Sequence, residues 1–132
     1  MKKILNTYFF VIVLFLSTSC LETKNTNIKL VTPEEMEAIL DLEDVQLVDV
    51  RTPEEYKKVH IPNSQNIDFT SPTFDEDITK LDKEKPVILY CKGGIKSAKC
   101  AKKLQEAGFK KIYDLEGGLS KWKHSDKIRS KG

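Results

Sequence analysis

The sequence predicts a single α/β domain whose sheet is mostly parallel and carries helices on both faces. Short apolar segments rich in Val, Ile and Leu alternate with segments that begin like helices, and the links between them are short. Strands that alternate with helices in this way form a parallel sheet covered on both sides. With 39% hydrophobic and 32% charged residues, the chain has the composition of a globular domain. Its 132 residues leave room for one core.

The first 19 residues predict an export signal. Two lysines precede an apolar run at residues 8–16, and small residues at 17–19 lie directly before Cys20. The run is short for a membrane span. Cys20 favours a bacterial lipoprotein signal, in which this residue carries the lipid, although Leu16 lies four rather than the usual three positions before it. Plain secretion and an uncleaved N-terminal anchor are the alternatives, and all three place the domain outside the cytoplasm.

The charges of the chain are unevenly distributed. Without residues 1–19, basic and acidic residues balance at 20 each, which argues against general nucleic-acid binding. Residues 20–90 hold 8 basic and 16 acidic residues, whereas residues 91–132 hold 12 basic and 4 acidic. The C-terminal part therefore has the charge to attract an anion. Residues 20–27 are polar and predict a tether, so that the domain itself covers residues 28–132.

The first half of the domain predicts two strands, each followed by a helix. Residues 28–31 read as a short strand, and the helix after it begins with a Thr-Pro-Glu-Glu capping box at 32–35 and runs to about Leu40. Residues 46–50 form an apolar, β-branched run typical of a strand buried on both faces. The same tetrapeptide at 52–55 starts the next helix. Nothing around the two boxes matches, so they indicate a reused helix start rather than an internal repeat.

The second half predicts three more strands. A turn at 60–64 leads into a short strand at 65–67, and a polar stretch at 71–82 contains a short helix. The clearest strand is 86–90; a loop at 91–97 and a helix to Ala107 follow, and Gly108 ends that helix. A last strand at 111–114 is followed by a glycine turn at 117–118 and a terminal helix that contains Trp122.

The candidate reactive group is Cys91, which stands where a buried strand meets a glycine-containing loop and a helix. Loop amides and the positive end of the helix stabilise an anion at such a point, so the pKa of this thiol should be lowered. Gly93 and Gly94 let the backbone turn tightly around the sulfur. A buried, inert strand cysteine is the alternative. The position favours reactivity because open α/β sheets place their sites at the carboxyl ends of strands.

Four segments in order resemble the rhodanese family, over nearly all of residues 28–123. Leu-Val-Asp-Val-Arg at 47–51, with Glu-Glu-Tyr after it, is similar to the family's LVDVR opening, and His-Ile-Pro at 60–62 to its GHIPGA turn. Residues 87–97 resemble its strand and CxxGxRS loop, and Leu-Glu-Gly-Gly at 115–118 with Trp122 resembles its LxGGxxxW end. Each segment alone is weak, but four in the right order and spacing are specific.

The resemblance implies a sulfurtransferase. In that family the loop cysteine takes a sulfane sulfur from a small anionic donor such as thiosulfate, becomes a persulfide, and passes the outer sulfur to a thiol or to cyanide. That role falls on Cys91, and the substrate-binding loop comprises Lys92, Gly93, Gly94, Ile95, Lys96 and Ser97. No cofactor and no metal are implied. The rival interpretation is a non-catalytic rhodanese-fold module that binds a sulfur species or a partner protein.

Asp49 and Arg51 are expected to support the site. The Asp49 carboxylate can hydrogen-bond to the loop amides or to Arg51, and a purely structural ion pair at the strand end is an equal alternative. Lys96 stands where the family has Arg, so a point charge replaces a planar, two-pronged donor. Val59 and the pair Asn63–Ser64 depart from the family's His-Ile-Pro turn.

The remaining cysteine and histidine residues favour structural roles. His60 belongs to a turn, and Cys100 shares a helix face with apolar residues and should pack in the core. A phosphatase of the same fold needs an Arg six positions after its cysteine, where this chain has Ser97. A thioredoxin-like enzyme is disfavoured because there is no Cys-x-x-Cys pair. The few scattered Cys and His residues also disfavour a zinc site.

Overall fold

A computed structural model describes residues 26–122 of the chain. The predicted signal segment, Cys20, most of the predicted tether and the last ten residues of the predicted domain lie outside this part. Within it, no helix is long and apolar enough to cross a membrane.

Strands and helices alternate along the described residues. The strands are β1 (Ile28–Val31), β2 (Gln46–Asp49), β3 (Gln65–Asn66), β4 (Val87–Tyr90) and β5 (Ile112–Leu115). The helices are α1 (Pro33–Leu42), α2 (Pro53–Lys58), α3 (Phe74–Asp77), α4 (Ile95–Glu106) and α5 (Gly118–Lys121), and a 3-10 turn at Ile78–Lys80 follows α3.

The strands form one sheet in the order β1-β5-β4-β2-β3, and every pairing in it is parallel. The predicted α/β fold with a parallel sheet is thereby confirmed. β4 lies in the centre between β5 and β2, and all four of its residues are buried. A residue that follows β4 directly therefore stands at the middle of the sheet's carboxyl edge.

Each face of the sheet has its own apolar core. On one face, Leu89 and Ile112 pack with Phe74, near the start of α3, and with Cys100 and Leu104 of α4. On the other, Met36 of α1 packs with strand residues of opposite parity and with Trp122; the buried members are Val31, Met36, Leu47, Ile61, Ile88, Tyr90, Tyr113, Leu115 and Trp122. Helices thus cover both faces, as the sequence predicted.

Both predicted capping boxes are present and fix where α1 and α2 begin. The hydroxyl of Thr32 accepts from the backbone N–H of Glu35 at 3.2 Å, while the Glu35 carboxylate accepts from the N–H of Thr32 at 3.0 Å. Thr52 and Glu55 repeat this exchange at the start of α2. Each box satisfies two backbone donors that the first helical turn would otherwise leave unpaired.

Several predicted boundaries differ from the observed ones, most clearly at the active loop. The loop after β4 is shorter than expected: α4 begins at Ile95, so Ser97 lies in its first turn rather than in the loop. The cause is Gly94, which caps the helix in a left-handed conformation with φ of 100° and has no capping side chain for a sequence to show. The last helix ends at Lys121, so Trp122 follows it, and α1 continues past Leu40 to Leu42.

Candidate active site

Cys91 lies immediately after β4, at the centre of the carboxyl edge of the sheet. Its residue surface is only 3% exposed. The neighbouring strand β2 and the turn that begins α5 border it, because Val50 donates to the Tyr90 carbonyl at 3.0 Å and Leu119 donates to the Cys91 carbonyl at 2.8 Å. The predicted position of the reactive cysteine therefore coincides with the point where a parallel sheet presents its sites.

Two backbone amides and one hydroxyl surround the Cys91 sulfur. The N–H of Gly94 donates to Sγ at 3.0 Å and the N–H of Ser97 at 3.4 Å, and the Ser97 Oγ lies 3.5 Å from Sγ. The left-handed Gly94 turns the chain so that these amides converge. Because they belong to the loop and the first turn of α4, they form an anion-stabilising nest whose dipoles point at one atom.

These contacts set the acidity of the thiol. Burial is the largest single influence and by itself would raise the pKa of Cys91, but hydrogen bonds from Ser97, Gly94 and Gly93 together outweigh it, so the pKa lies below its ordinary value. A lowered pKa gives more thiolate near neutral pH, and the thiolate is the nucleophilic form. The arrangement can therefore perform nucleophilic chemistry at sulfur and stabilise a leaving thiolate.

The start of α5 holds the backbone of the active loop from the other side. Leu119 and Ser120 donate their N–H groups to the carbonyls of Cys91 and Lys92, at 2.8 and 3.0 Å. Gly118 makes this approach possible, because a Cβ there would collide with the Cys91 carbonyl oxygen and would lie 2.8 Å from Lys92 backbone atoms. The sequence predicted a glycine turn here but not its contact with the loop, which depends on the distant packing of two segments.

Of the predicted loop residues, Gly94 and Ser97 contact the sulfur. Gly93 contributes an amide that lowers the pKa of Cys91. Lys92 and Lys96 are exposed, and Ile95 is 74% exposed. Those three side chains are therefore placed to meet a partner or a donor in solution rather than to bind the sulfur itself.

Asp49 and Arg51 form a buried ion pair, and the carboxylate bonds to no amide of the active loop within the described residues. Arg51 Nη2 lies 2.7 Å from Asp49 Oδ2, and it also donates to the Val59 carbonyl at 2.6 Å. Asn66 donates to the carbonyls of both residues, at 3.0 and 2.9 Å. Asp49 therefore bonds to Arg51, which both predicted readings allowed, and within the described residues it does not bond to the loop amides.

A groove of about 420 Å³ opens beside the loop. Its lining is basic on balance and consists of Arg51, Glu55, Lys58, Val59, Lys92, Leu119 and Ser120. Lys96 lies close enough to Glu55 to contribute to the lowered pKa of that carboxyl, after the stronger effect of hydrogen bonds from Thr52. A larger pocket of about 690 Å³, with acidic residues such as Glu37 and Asp41 in its wall, contains none of the predicted site residues.

The residues predicted to be structural are placed accordingly. Cys100 is fully buried in α4, and burial, together with the nearby Asp114 carboxylate, raises its pKa to about 12. Cys91 and Cys100 are both free thiols. His60 stacks on Tyr56 with ring centroids 3.9 Å apart and contacts the Tyr56 carbonyl through Nδ1 at 2.7 Å. Residues 26–122 contain no group of three or more His, Cys, Asp or Glu side chains able to hold a metal.

Comparison with known proteins agrees with this architecture. Residues 32–125 match the rhodanese-like domain family. The chain is 41% identical over 80 residues to the thiosulfate sulfurtransferase GlpE of Coxiella burnetii, which covers 61% of this chain and 73% of that protein. It is 40% identical over 103 residues to a tRNA uridine(34) hydroxylase of Cytophaga hutchinsonii, of which it covers 33%. The crystal structure of a rhodanese-like domain protein from Staphylococcus aureus superposes with a TM-score of 0.69 at 30% identity, over 79% of this chain and 99% of that one. On its fold and its sequence, the chain belongs to the family of rhodanese-like domains and is a sulfurtransferase-like enzyme.

Proposed function

We propose that Cys91 carries sulfur as a persulfide, taken from a small anionic sulfane donor such as thiosulfate and passed to a thiol or to cyanide. The observation that carries the proposal is the convergence of the Gly94 and Ser97 amides and the Ser97 hydroxyl on the sulfur. The relative named for thiosulfate sulfurtransfer supports the choice of donor. The same nest that stabilises the thiolate suits a persulfide anion, which places its charge one atom farther out.

The transfer needs two displacements at sulfur. In the first, the Cys91 thiolate attacks the outer sulfur of thiosulfate; a new S–S bond forms, the old one breaks, and sulfite leaves with the bonding electron pair. In the second, cyanide or a thiolate attacks the outer sulfur of the persulfide, and the Cys91 thiolate leaves with its electron pair. The first step consumes the Cys91 thiolate and the second regenerates it. The loop amides favour the first step because they keep Cys91 ionised, and the second because they stabilise the leaving thiolate.

The basic side chains around the groove serve the encounter with the donor. Lys58 and Lys92 line it, and Lys96 lies in the first turn of α4. Thiosulfate is doubly negative, so these charges raise its local concentration at the mouth of the site. Because Lys96 offers a point charge where the family pattern has Arg, it attracts the anion without fixing its orientation.

The protein acts outside the cytoplasm in this proposal, held to a membrane by a lipid on Cys20. The two lysines, apolar run and small residues before that position support it. Fractionation of cells that produce the full chain tests this directly: the wild type should sediment with membranes, and Cys20→Ala should not. Retention of Cys20→Ala in the membrane fraction would point to an uncleaved anchor instead.

Mass spectrometry of the full chain after treatment with thiosulfate tests the proposed chemistry. One extra sulfur atom, removed by a reducing agent, should appear on the peptide that contains Cys91. It should be absent from Cys91→Ser and present in Cys100→Ser, which is the matched control because that thiol is buried in the same domain. If no sulfane donor labels Cys91, the domain is a non-catalytic binding module.

A further inference from the structure

The sheet separates the charges of the two longest described helices. α1 and α4 pack on opposite faces of it. α1 carries four acidic residues and no basic one, whereas α4 carries four lysines and one acid, Glu106, in its last position. The domain therefore has an acidic side and a basic side, and the proposed sulfur transfer uses only one of the four lysines, Lys96.

The four lysines lie on the outer side of α4, and all of them are exposed. Intervals of three and four residues place side chains on the same side of a helix. The opposite side holds Cys100 and Leu104, which are buried in the core. Ile95, which is 74% exposed, adds an apolar side chain at the first turn. We call this surface the lysine face; its members are Ile95, Lys96, Lys99, Lys102 and Lys103.

The stability of α4 does not explain this cluster of lysines. Among the described residues, Lys103 alone lies within ion-pair distance of a carboxylate, Asp75 at 3.9 Å, and that carboxylate is 86% exposed, so the pair contributes little. Lys99 and Lys103 are four positions apart and repel each other. Lys96 stands in the first turn, at the positive end of the helix dipole. The lysine face therefore suits an anionic surface outside the domain.

The chain enters the domain beside this helix. The Asn27 carbonyl accepts from the N–H of Ile112 at 2.9 Å, and the Asn27 side chain donates to the Phe109 carbonyl at 3.4 Å. Phe109 lies three residues after the end of α4, and Ile28 packs against the core on the α4 side of the sheet. The segment 21–27 before it can span at most about 25 Å. A lipid on Cys20 would therefore keep α4 close to the membrane.

We propose that the lysine face of α4 docks on a membrane surface of anionic lipids. Each lysine near such a surface adds to the attraction, and Ile95 contributes apolar burial at the headgroup boundary. A lipid anchor strengthens this contact, because the second attachment becomes intramolecular once the first is made. An acidic protein would meet the same charges, but the entry of the chain beside α4 favours the membrane. The inference rests on the membrane location proposed above and is independent of sulfur transfer.

Sedimentation with lipid vesicles tests the proposal without a lipid on the protein. The full chain with Cys20→Ala is mixed with vesicles of phosphatidylcholine or of phosphatidylglycerol, and the bound fraction gives a partition coefficient for each. The apolar run at residues 8–16 is present with both vesicles, so the difference between them reports charge. Binding to phosphatidylglycerol should be stronger and should weaken with added salt. Lys99→Gln with Lys102→Gln should lower the partition coefficient for phosphatidylglycerol roughly tenfold.

Lys29→Gln with Lys85→Gln is the matched control. It removes the same charge from lysines that pair with Glu35 of α1 and with Asp44, away from the lysine face, and it should leave binding to phosphatidylglycerol nearly unchanged. An equal loss in both double variants would show that net charge alone drives binding, which overturns the proposal. So would equal binding to the two lipids, or binding of soluble polyglutamate through Lys99 and Lys102 without binding to vesicles, which would assign the face to an acidic protein. Because no sulfur donor is used, a protein that fails to take up sulfur can still confirm this inference.

Discussion

Cys91 depends on a small number of contacts, and each of them can be changed separately. Its surroundings are apolar enough to disfavour a charge, yet hydrogen bonds from Ser97, Gly94 and Gly93 lower its pKa. The sequence predicted this residue because a buried strand, a glycine loop and a helix follow one another there.

The free energy of unfolding should depend on pH because Cys91 ionises more readily in the folded chain. The pKa of Cys91 is lower in the folded chain than its ordinary value, so the stabilisation from ionised Cys91 is fully present above the unfolded-state pKa and is lost as pH falls through the folded-state pKa. The free energy of unfolding, measured by denaturant titration, should therefore increase with pH in the wild type relative to Cys91→Ala. A difference that is constant with pH would contradict a lowered pKa.

The Asp49–Arg51 pair should behave as a structural feature. Arg51→Met leaves the buried Asp49 carboxylate without its cation, which should cost about 3–5 kcal/mol in the free energy of unfolding. Asp49→Asn combined with Arg51→Met removes both charges and should cost less than Arg51→Met alone. Chemical denaturation measures both. Full stability in the single variant would show that the pair does not hold the strand end.

At the scale of elements, the loop and helix α4 act as one unit. Gly94 is both the cap of the helix and a donor to the sulfur, so helix geometry and thiol acidity are fixed by the same backbone conformation. Sequence patterns predicted both capping-box helices because Thr and Glu side chains mark them. They misplaced the start of α4 because a glycine cap has no side chain, and its left-handed conformation shows only in three dimensions.

Substitutions at Gly94 and Gly93 separate the effect of backbone strain in the loop from the effect of adding a side chain. Gly94→Ala forces a side chain into a left-handed conformation and should cost roughly 1–2 kcal/mol in stability; it should also raise the pKa of Cys91, since the amide moves. A Cβ there makes ordinary contacts, the nearest at 3.5 Å, so strain and not collision is the cause. Gly93→Ala is the matched control because a Cβ at Gly93 meets open space. Thermal unfolding and pH-dependent alkylation should show a change for Gly94→Ala alone.

At the scale of the molecule, the topology brings distant segments to one edge of the sheet. Cys91, the Arg51 end of β2 and the start of α5 meet there although up to about seventy residues separate them along the chain. The sequence predicted the α/β class, since alternation is a local property. It could not predict the strand order β1-β5-β4-β2-β3 or the hydrogen bonds between the start of α5 and the active loop, because both depend on which buried faces fit together.

The basic groove should make reactions of Cys91 with anions sensitive to salt. Lys58, Lys92 and Arg51 outnumber Glu55 in its lining, and such attraction weakens as the Debye length falls from about 10 Å at 0.1 M salt to about 3 Å at 1 M. Alkylation of Cys91 by anionic iodoacetate should slow with added salt, whereas neutral iodoacetamide should not. Lys58→Ala should reduce the slope for iodoacetate. Equal salt dependence for both reagents would remove the groove's role in attracting donors.

Transfer of labelled sulfur tests the central claim most directly. The full chain is loaded with thiosulfate that carries an isotope in its outer sulfur, freed of excess donor, and then given cyanide. We predict that the label first resides on Cys91, at one atom per chain at most, and then leaves as thiocyanate, in the wild type and in Cys100→Ser but not in Cys91→Ser. Labelled thiocyanate formed equally well by Cys91→Ser would contradict the account.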